Sequence, residues 1–231
     1  MDKKEGLCTA DGSDVKEEVV VSGNSAVAVY FTIVPLIIKN ICISTKELIV
    51  DFRKKKGSMH DPIHINGMVV ERVSSFKFLG TTISEDLSWT TNTSSLVKKA
   101  HQCLFFLRTL KKNQLSSAIL VNFYRCAIES ILTSCITVWY GNCSFADCRA
   151  LQRVVKTAQH ITGTPLPPIE DIQRKHCVHR ARSILKDSSH PDHRLFNLLP
   201  SVRHFRSLWT RTSRFRNSFF PTSVSLLNSA L

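Results

Sequence analysis

Leu96-Val97-Lys98-Lys99-Ala100-His101-Gln102-Cys103-Leu104-Phe105-Phe106-Leu107-Arg108-Thr109-Leu110 is the stretch that decides how this chain folds. Leu96, Ala100, Cys103, Leu107 and Leu110 recur at steps of four and three, the spacing of one face of an α-helix. Lys98, Lys99 and Arg108 fall off that stripe. The helix therefore sets an apolar side toward a core and a cationic side toward water.

Three more helical patterns follow downstream. The first runs from about Ser116 to Trp139, with Leu120, Tyr124, Ala127, Ile131 and Cys135 expected in register. The second opens on Ser144 with Asp147 three residues later, a capping-box signature in which each side chain bonds the other's backbone amide. Its stripe is Leu151, Val154, Val155, Ala158 and Ile161, and Gly163 supplies the left-handed residue that closes a helix. After Pro165, Pro167 and Pro168 a fourth helix is expected over Ile169 to Leu185.

Upstream the period changes to two. Leu48, Val50 and Phe52 alternate, and a charged loop follows from Arg53 to Gly57. Ile63 and Ile65 then lead into Asn66-Gly67, a strong hairpin signal because both central residues of a type I′ turn need positive φ. The return strand covers Met68 to Val73, and Phe76-Lys77-Phe78-Leu79-Gly80 ends in a glycine turn. The fold expected is α+β and mostly α, a small antiparallel hairpin unit followed by a helical bundle. Four segments are expected: a poorly ordered leader at 1–44, the hairpin unit at 45–90, the bundle at 91–187, and a basic aromatic, disordered tail at 188–231.

The formal charge is +13. Residues 151–231 hold 13 Lys and Arg against 4 Asp and Glu, whereas residues 1–50 hold 5 against 7. Such an excess favours polyanions through counterion release, and nucleic acid is the commonest such partner. The charged, polar start Met1 to Glu18 does not read as a secretory signal, so the eight cysteines are expected reduced in an intracellular protein, nuclear or cytoplasmic. Ala26 to Ile38, the longest apolar stretch, is short for a bilayer and broken by Pro35, so no membrane role is expected.

Thr45-Lys46-Glu47-Leu48-Ile49-Val50-Asp51-Phe52-Arg53 and Phe76-Lys77-Phe78-Leu79-Gly80-Thr81-Thr82-Ile83-Ser84 resemble the end of the palm and the primer-grip region of vertebrate non-LTR retrotransposon reverse transcriptases. Leu87-Ser88-Trp89, Val138-Trp139-Tyr140-Gly141, Ala150-Leu151-Gln152-Arg153, Ile161-Thr162-Gly163 and the Arg/Phe tail continue the likeness over residues 45–229. The resemblance implies a thumb and C-terminal region lying downstream of the catalytic carboxylates. Polymerisation needs paired metal ions held by clustered aspartates, and the chain has no Asp-Asp pair. No polymerase activity, no catalytic residue and no cofactor are expected.

His176, His179, His190 and His193, with Cys177, match no standard zinc spacing, so a solvent or core role is expected and no metal site. His190-Pro191-Asp192 spells the His-x-Asp of iron/2-oxoglutarate dioxygenases, and the region around residues 149–175 is similar to the N-terminal region of the AlkB-type tRNA dioxygenase-methyltransferase. That likeness is helical and brings no jelly-roll or methyl-donor loop with it. Cys103 and Cys135 are expected to be buried rather than catalytic.

The positive candidates are cationic. Lys77, Lys98, Lys99, Lys111 and Lys112, with Arg203, Arg206, Arg211, Arg214 and Arg216, are expected to meet RNA or DNA backbone, as the resemblance to a thumb implies. Phe205, Trp209 and Phe215 either stack on unpaired bases or pack against the helices. The alternatives are an AlkB-type dioxygenase or methyltransferase relative, and a helical protein-interaction module with its partner unknown.

Overall fold

The computed structural model describes residues 15–22, 26–33, 46–51, 60–65, 67–201 and 203–229. They fall into two compact units, 1–88 and 89–231. The chain is α+β and mostly α, as its periodicities require.

In the first unit, strands β1 (Val15–Ser22), β2 (Ala26–Ile33) and β3 (Lys46–Asp51) form an antiparallel meander. The first two lie inside the segment expected to be poorly ordered. The fourth strand of that sheet pairs with β3 in parallel, Lys46 opposite Glu71 and Glu47 opposite Arg72. Leu48 and Val50 are buried, as their alternation predicts. Phe52, the third residue of that pattern, lies outside the described residues, as does Asn66.

The expected hairpin forms between β4 (His64–Ile65) and β5 (Met68–Val69), with Gly67 at φ 77°. The return strand is shorter than its residues suggest. It breaks at buried Val70, whose amide donates to the Ile63 carbonyl at 2.8 Å, and β6 (Glu71–Arg72) leaves to join β3. A second hairpin joins β7 (Ser75–Phe78) to β8 (Thr81–Ser84) through Leu79 and Gly80, both at positive φ.

The second unit opens on buried Trp89 and α1 (Thr90–Lys112). Its buried face is Leu96, Ala100, Leu104 and Leu107, and Cys103 is only half-buried. The next helix departs from a single helical pattern. It consists of α2 (Ser117–Phe123), a π-helical turn at Tyr124–Glu129, α3 (Ser130–Thr133) and, after a break, α4 (Ile136–Trp139).

A π turn takes more residues per revolution than an α turn, so the inward positions slip along the sequence. Leu120 and Tyr124 are buried as expected, but beyond them Ile128, Leu132 and Ile136 face inward instead of Ala127, Ile131 and Cys135. Cys135 is exposed at φ 49°, contrary to its expected burial. At that break the Ser134 carbonyl accepts the indole N–H of fully buried Trp139 at 2.8 Å, which satisfies the donor inside the core.

Helix α5 (Phe145–Thr162) has the capping box its residues announce. The Asp147 amide donates to Ser144 Oγ at 3.1 Å, and the Ser144 amide reaches Asp147 Oδ2 at 3.4 Å. Gly163 closes the helix at φ 69°. The same Oδ2 accepts from Thr90 Oγ1 at 3.1 Å, which ties the start of α1 to the start of α5, and the two helices pack together.

Helix α6 (Ile169–Lys186) ends one residue beyond expectation. The tail, expected to be disordered, folds back on it. Helices α7 (Ser213–Arg216) and α8 (Phe219–Ser229) follow an extended run, and Val224 and Leu227 join Ala181, Ile184 and Phe196 in a satellite core. Apolar burial at roughly 25 cal/mol per Å² gives the tail a reason to dock that its arginines do not disclose.

Candidate nucleic-acid interface

Helix α1 carries Lys98, Lys99, Arg108, Lys111 and Lys112 and no carboxylate. All five cations are exposed. Lys98, Phe105 and Lys112 are spaced seven residues apart, close to two turns each, so they share one side of the helix over about 21 Å. Lys99 and Phe106 have the same spacing on the adjoining side.

Phe105 and Phe106 are 63% and 57% exposed, with rings edge to face at 5.7 Å. The face thus alternates cations with uncovered aromatics. Lys111 and Lys112 occupy the last turn, where positive charge also complements the helix dipole. The two phenylalanines could have been found in the sequence, since both lie off the buried stripe.

Lys77 is exposed on β7 in the first unit. In the tail, Arg203, Arg206, Arg211, Arg214 and Arg216 are all exposed. The aromatics among them divide. Phe205 packs, its ring edge to face with Phe196 at 6.4 Å and its backbone bracketed by the Asn228 amide at 2.8 and 3.0 Å. Trp209 remains 75% exposed, with the Arg211 guanidinium 4.7 Å over its ring, and Phe215 is exposed too. Elsewhere Arg149 lies over Phe145 and Arg180 over Phe219.

Other chemistry-bearing residues are dispersed. His176 and His179 are exposed on α6, whereas His190 and His193 sit half-buried in the loop after it. His190 Nδ1 accepts from the Asp192 amide at 3.1 Å, a contact within its own turn. No group of three or more His, Cys, Asp or Glu placed to hold a metal occurs among the described residues.

Burial pushes the Cys143 thiol up to about 12, and Cys148 and buried Cys177 are raised for the same reason. Thiols held protonated in this way make poor nucleophiles. The segment Ser117–Asn142 is long and apolar enough to cross a membrane, yet its inward side supplies Leu120, Ile128, Leu132 and Trp139 to the core. A single such helix weighs little, because core helices share that length and apolarity.

The family described as Alkylated DNA repair protein alkB homolog 8, N-terminal, matches residues 89–130. That stretch runs from Trp89 through α1, α2 and the π turn to the first residue of α3, upstream of the 149–175 region to which the sequence reading assigns this likeness. No curated protein and no solved structure matches the chain. None of these comparisons returns a reverse transcriptase, so what they support is similarity of one helical segment to the N-terminal region of that family.

Proposed function

We propose that the helical unit is a non-catalytic module that binds RNA or DNA through the sugar-phosphate backbone, without sequence preference. The carrying observation is the solvent side of α1, with five cations, no carboxylate and two uncovered phenylalanines. Cations spaced along a rigid helix position a phosphate backbone but do not read bases. The likeness of residues 45–229 to reverse-transcriptase thumbs and tails supports an origin in such an element. On that reading the missing aspartate pair leaves binding without polymerisation.

A second reading, a relative of AlkB-type enzymes, is favoured by the match over residues 89–130. The name of that family concerns repair of alkylated DNA. The matched helices carry the same lysines that motivate the first reading, and His190-Pro191-Asp192 lies outside them. Turnover of 2-oxoglutarate with iron would support the second reading and overturn the non-catalytic one.

The first reading is tested by titrating a labelled primer-template into the full chain at two salt concentrations. Affinity should fall steeply with salt and be indifferent to sequence. Lys98→Ala with Lys112→Ala should weaken binding to all sequences alike and flatten the salt slope by about 0.9 for each duplex phosphate no longer neutralised. Absence of binding at low salt overturns it.

A further inference from the structure

A groove of about 1040 Å³ opens where the returning tail and α8 meet the starts of α5 and α6. It lies just above the ~300–1,000 Å³ range of small-ligand pockets. Its walls include Tyr140, Phe145, Arg174 with its carboxylate partner Glu170, and Arg216, together with uncharged hydroxyls such as Ser207 and Thr222. Phe145 is 77% exposed, and the Arg149 guanidinium lies 5.5 Å from its centroid. Arg174 is held by Glu170 at 2.6 Å, whereas exposed Arg216 has no carboxylate partner among the described ion pairs.

The wall is built in advance. The Arg214 carbonyl accepts from the Asn142 side chain at 3.1 Å, and the Asn217 backbone lies directly against Gly141.

We infer that this groove seats unpaired nucleobases of a single strand, with Phe145 as the stacking surface and Arg216 on the phosphate; the inference rests on the nucleic-acid reading. A duplex hides the faces of its bases, so an aromatic ring beside a cation serves only a strand whose bases are splayed out. The hydroxyls lining the groove can bond sugars and base edges of any sequence. The groove thus adds a strand-type preference that the backbone-tracking face of α1 does not provide.

The test uses the full chain with a thymidine oligonucleotide of about twelve nucleotides and a duplex of equal length. Trp209 lies between the groove residues Leu208 and Thr210 and is 75% exposed, whereas Trp89 and Trp139 are buried, so base-induced quenching of tryptophan emission reports on this region. Phe145→Ala and Arg216→Ala, both at exposed positions, should each weaken single-strand binding by about tenfold, and Phe145→Ala should leave duplex binding within twofold. Phe145→Tyr should restore it.

Single-strand affinity unchanged in both alanine variants, with duplex still bound, overturns the groove and leaves the backbone reading standing. Failure of the unmodified chain to bind either probe at low salt overturns both.

Discussion

The backbone carbonyl of Asn217 lies against Gly141 so closely that a Cβ at position 141 would overlap it. Only glycine lets the tail approach the turn after α4, and Asn142 reinforces the approach through the Arg214 carbonyl. Gly141→Ala should push the tail outward and destabilise the helical unit by ~1–3 kcal/mol, the usual cost of overpacking. Urea unfolding should show the loss, and limited proteolysis should cut the 203–217 segment faster than in the unmodified chain. Unchanged stability and cleavage would mean that the tail does not depend on this approach.

Local chemistry is legible in the sequence where it is self-contained. Ser144, Asp147 and Gly163 mark both ends of α5 because caps and left-handed closures depend on residues within one turn. The helix upstream leaves its sequence pattern beyond Tyr124, since a π turn and a left-handed Cys135 are imposed by what packs around them. Pairing of β3 with β6 is also beyond a local reading, because nothing in Glu71 or Arg72 announces a parallel partner some twenty-five residues away. The cations of the interface are legible as residue types. That the tail folds back to make a groove depends on Phe196, Val224 and Leu227 meeting α6, a long-range event.

Stability should fall in alkali. Burial raises the Tyr124 and Tyr140 hydroxyls well above their ordinary 10.0, and it raises the Cys143 thiol from 9.0 to about 12. Each group loses its proton more readily when unfolded, so the stabilisation is intact below about pH 9 and is lost as pH rises toward 12 and beyond. Urea midpoints measured from about pH 8 upward should decline accordingly. Tyr124→Phe should flatten the decline. It should cost little at neutral pH, because the buried Tyr124 hydroxyl has no hydrogen-bond partner among the described residues. A midpoint independent of pH in this range would refute the assignment.

Glu47 is 3% exposed, and its carboxylate meets Arg72 Nε at 3.0 Å across the parallel β3–β6 pair. Arg72 also reaches the His60 carbonyl at 3.2 Å. Arg72→Ala strands a buried carboxylate, which costs ~3–5 kcal/mol where both partners are buried. The Arg72 side chain is 42% exposed, so solvent screening brings the expected loss down to about 2 kcal/mol. The Arg72→Met, Glu47→Gln double variant should recover much of it by removing the stranded charge. If the single variant matches the unmodified chain in unfolding, the pair contributes nothing.

Leu79 offers the opposite kind of change. It shares a two-residue hairpin loop with Gly80, at φ 43° and 83°, the signature of a type I′ turn. A leucine in the left-handed region costs roughly 1–2 kcal/mol, and its side chain is 74% exposed, so little burial offsets that cost. Leu79→Asn creates the Asn-Gly pair this turn prefers, and it should stabilise the β7–β8 hairpin by about 1 kcal/mol. Amide exchange at Phe76 and Ile83, which face each other across the hairpin, should slow in step with that gain. Replacement by Val, β-branched and ill suited to positive φ, should accelerate exchange at the same amides. Equal exchange in both variants would show that the backbone of this turn is not what limits hairpin opening.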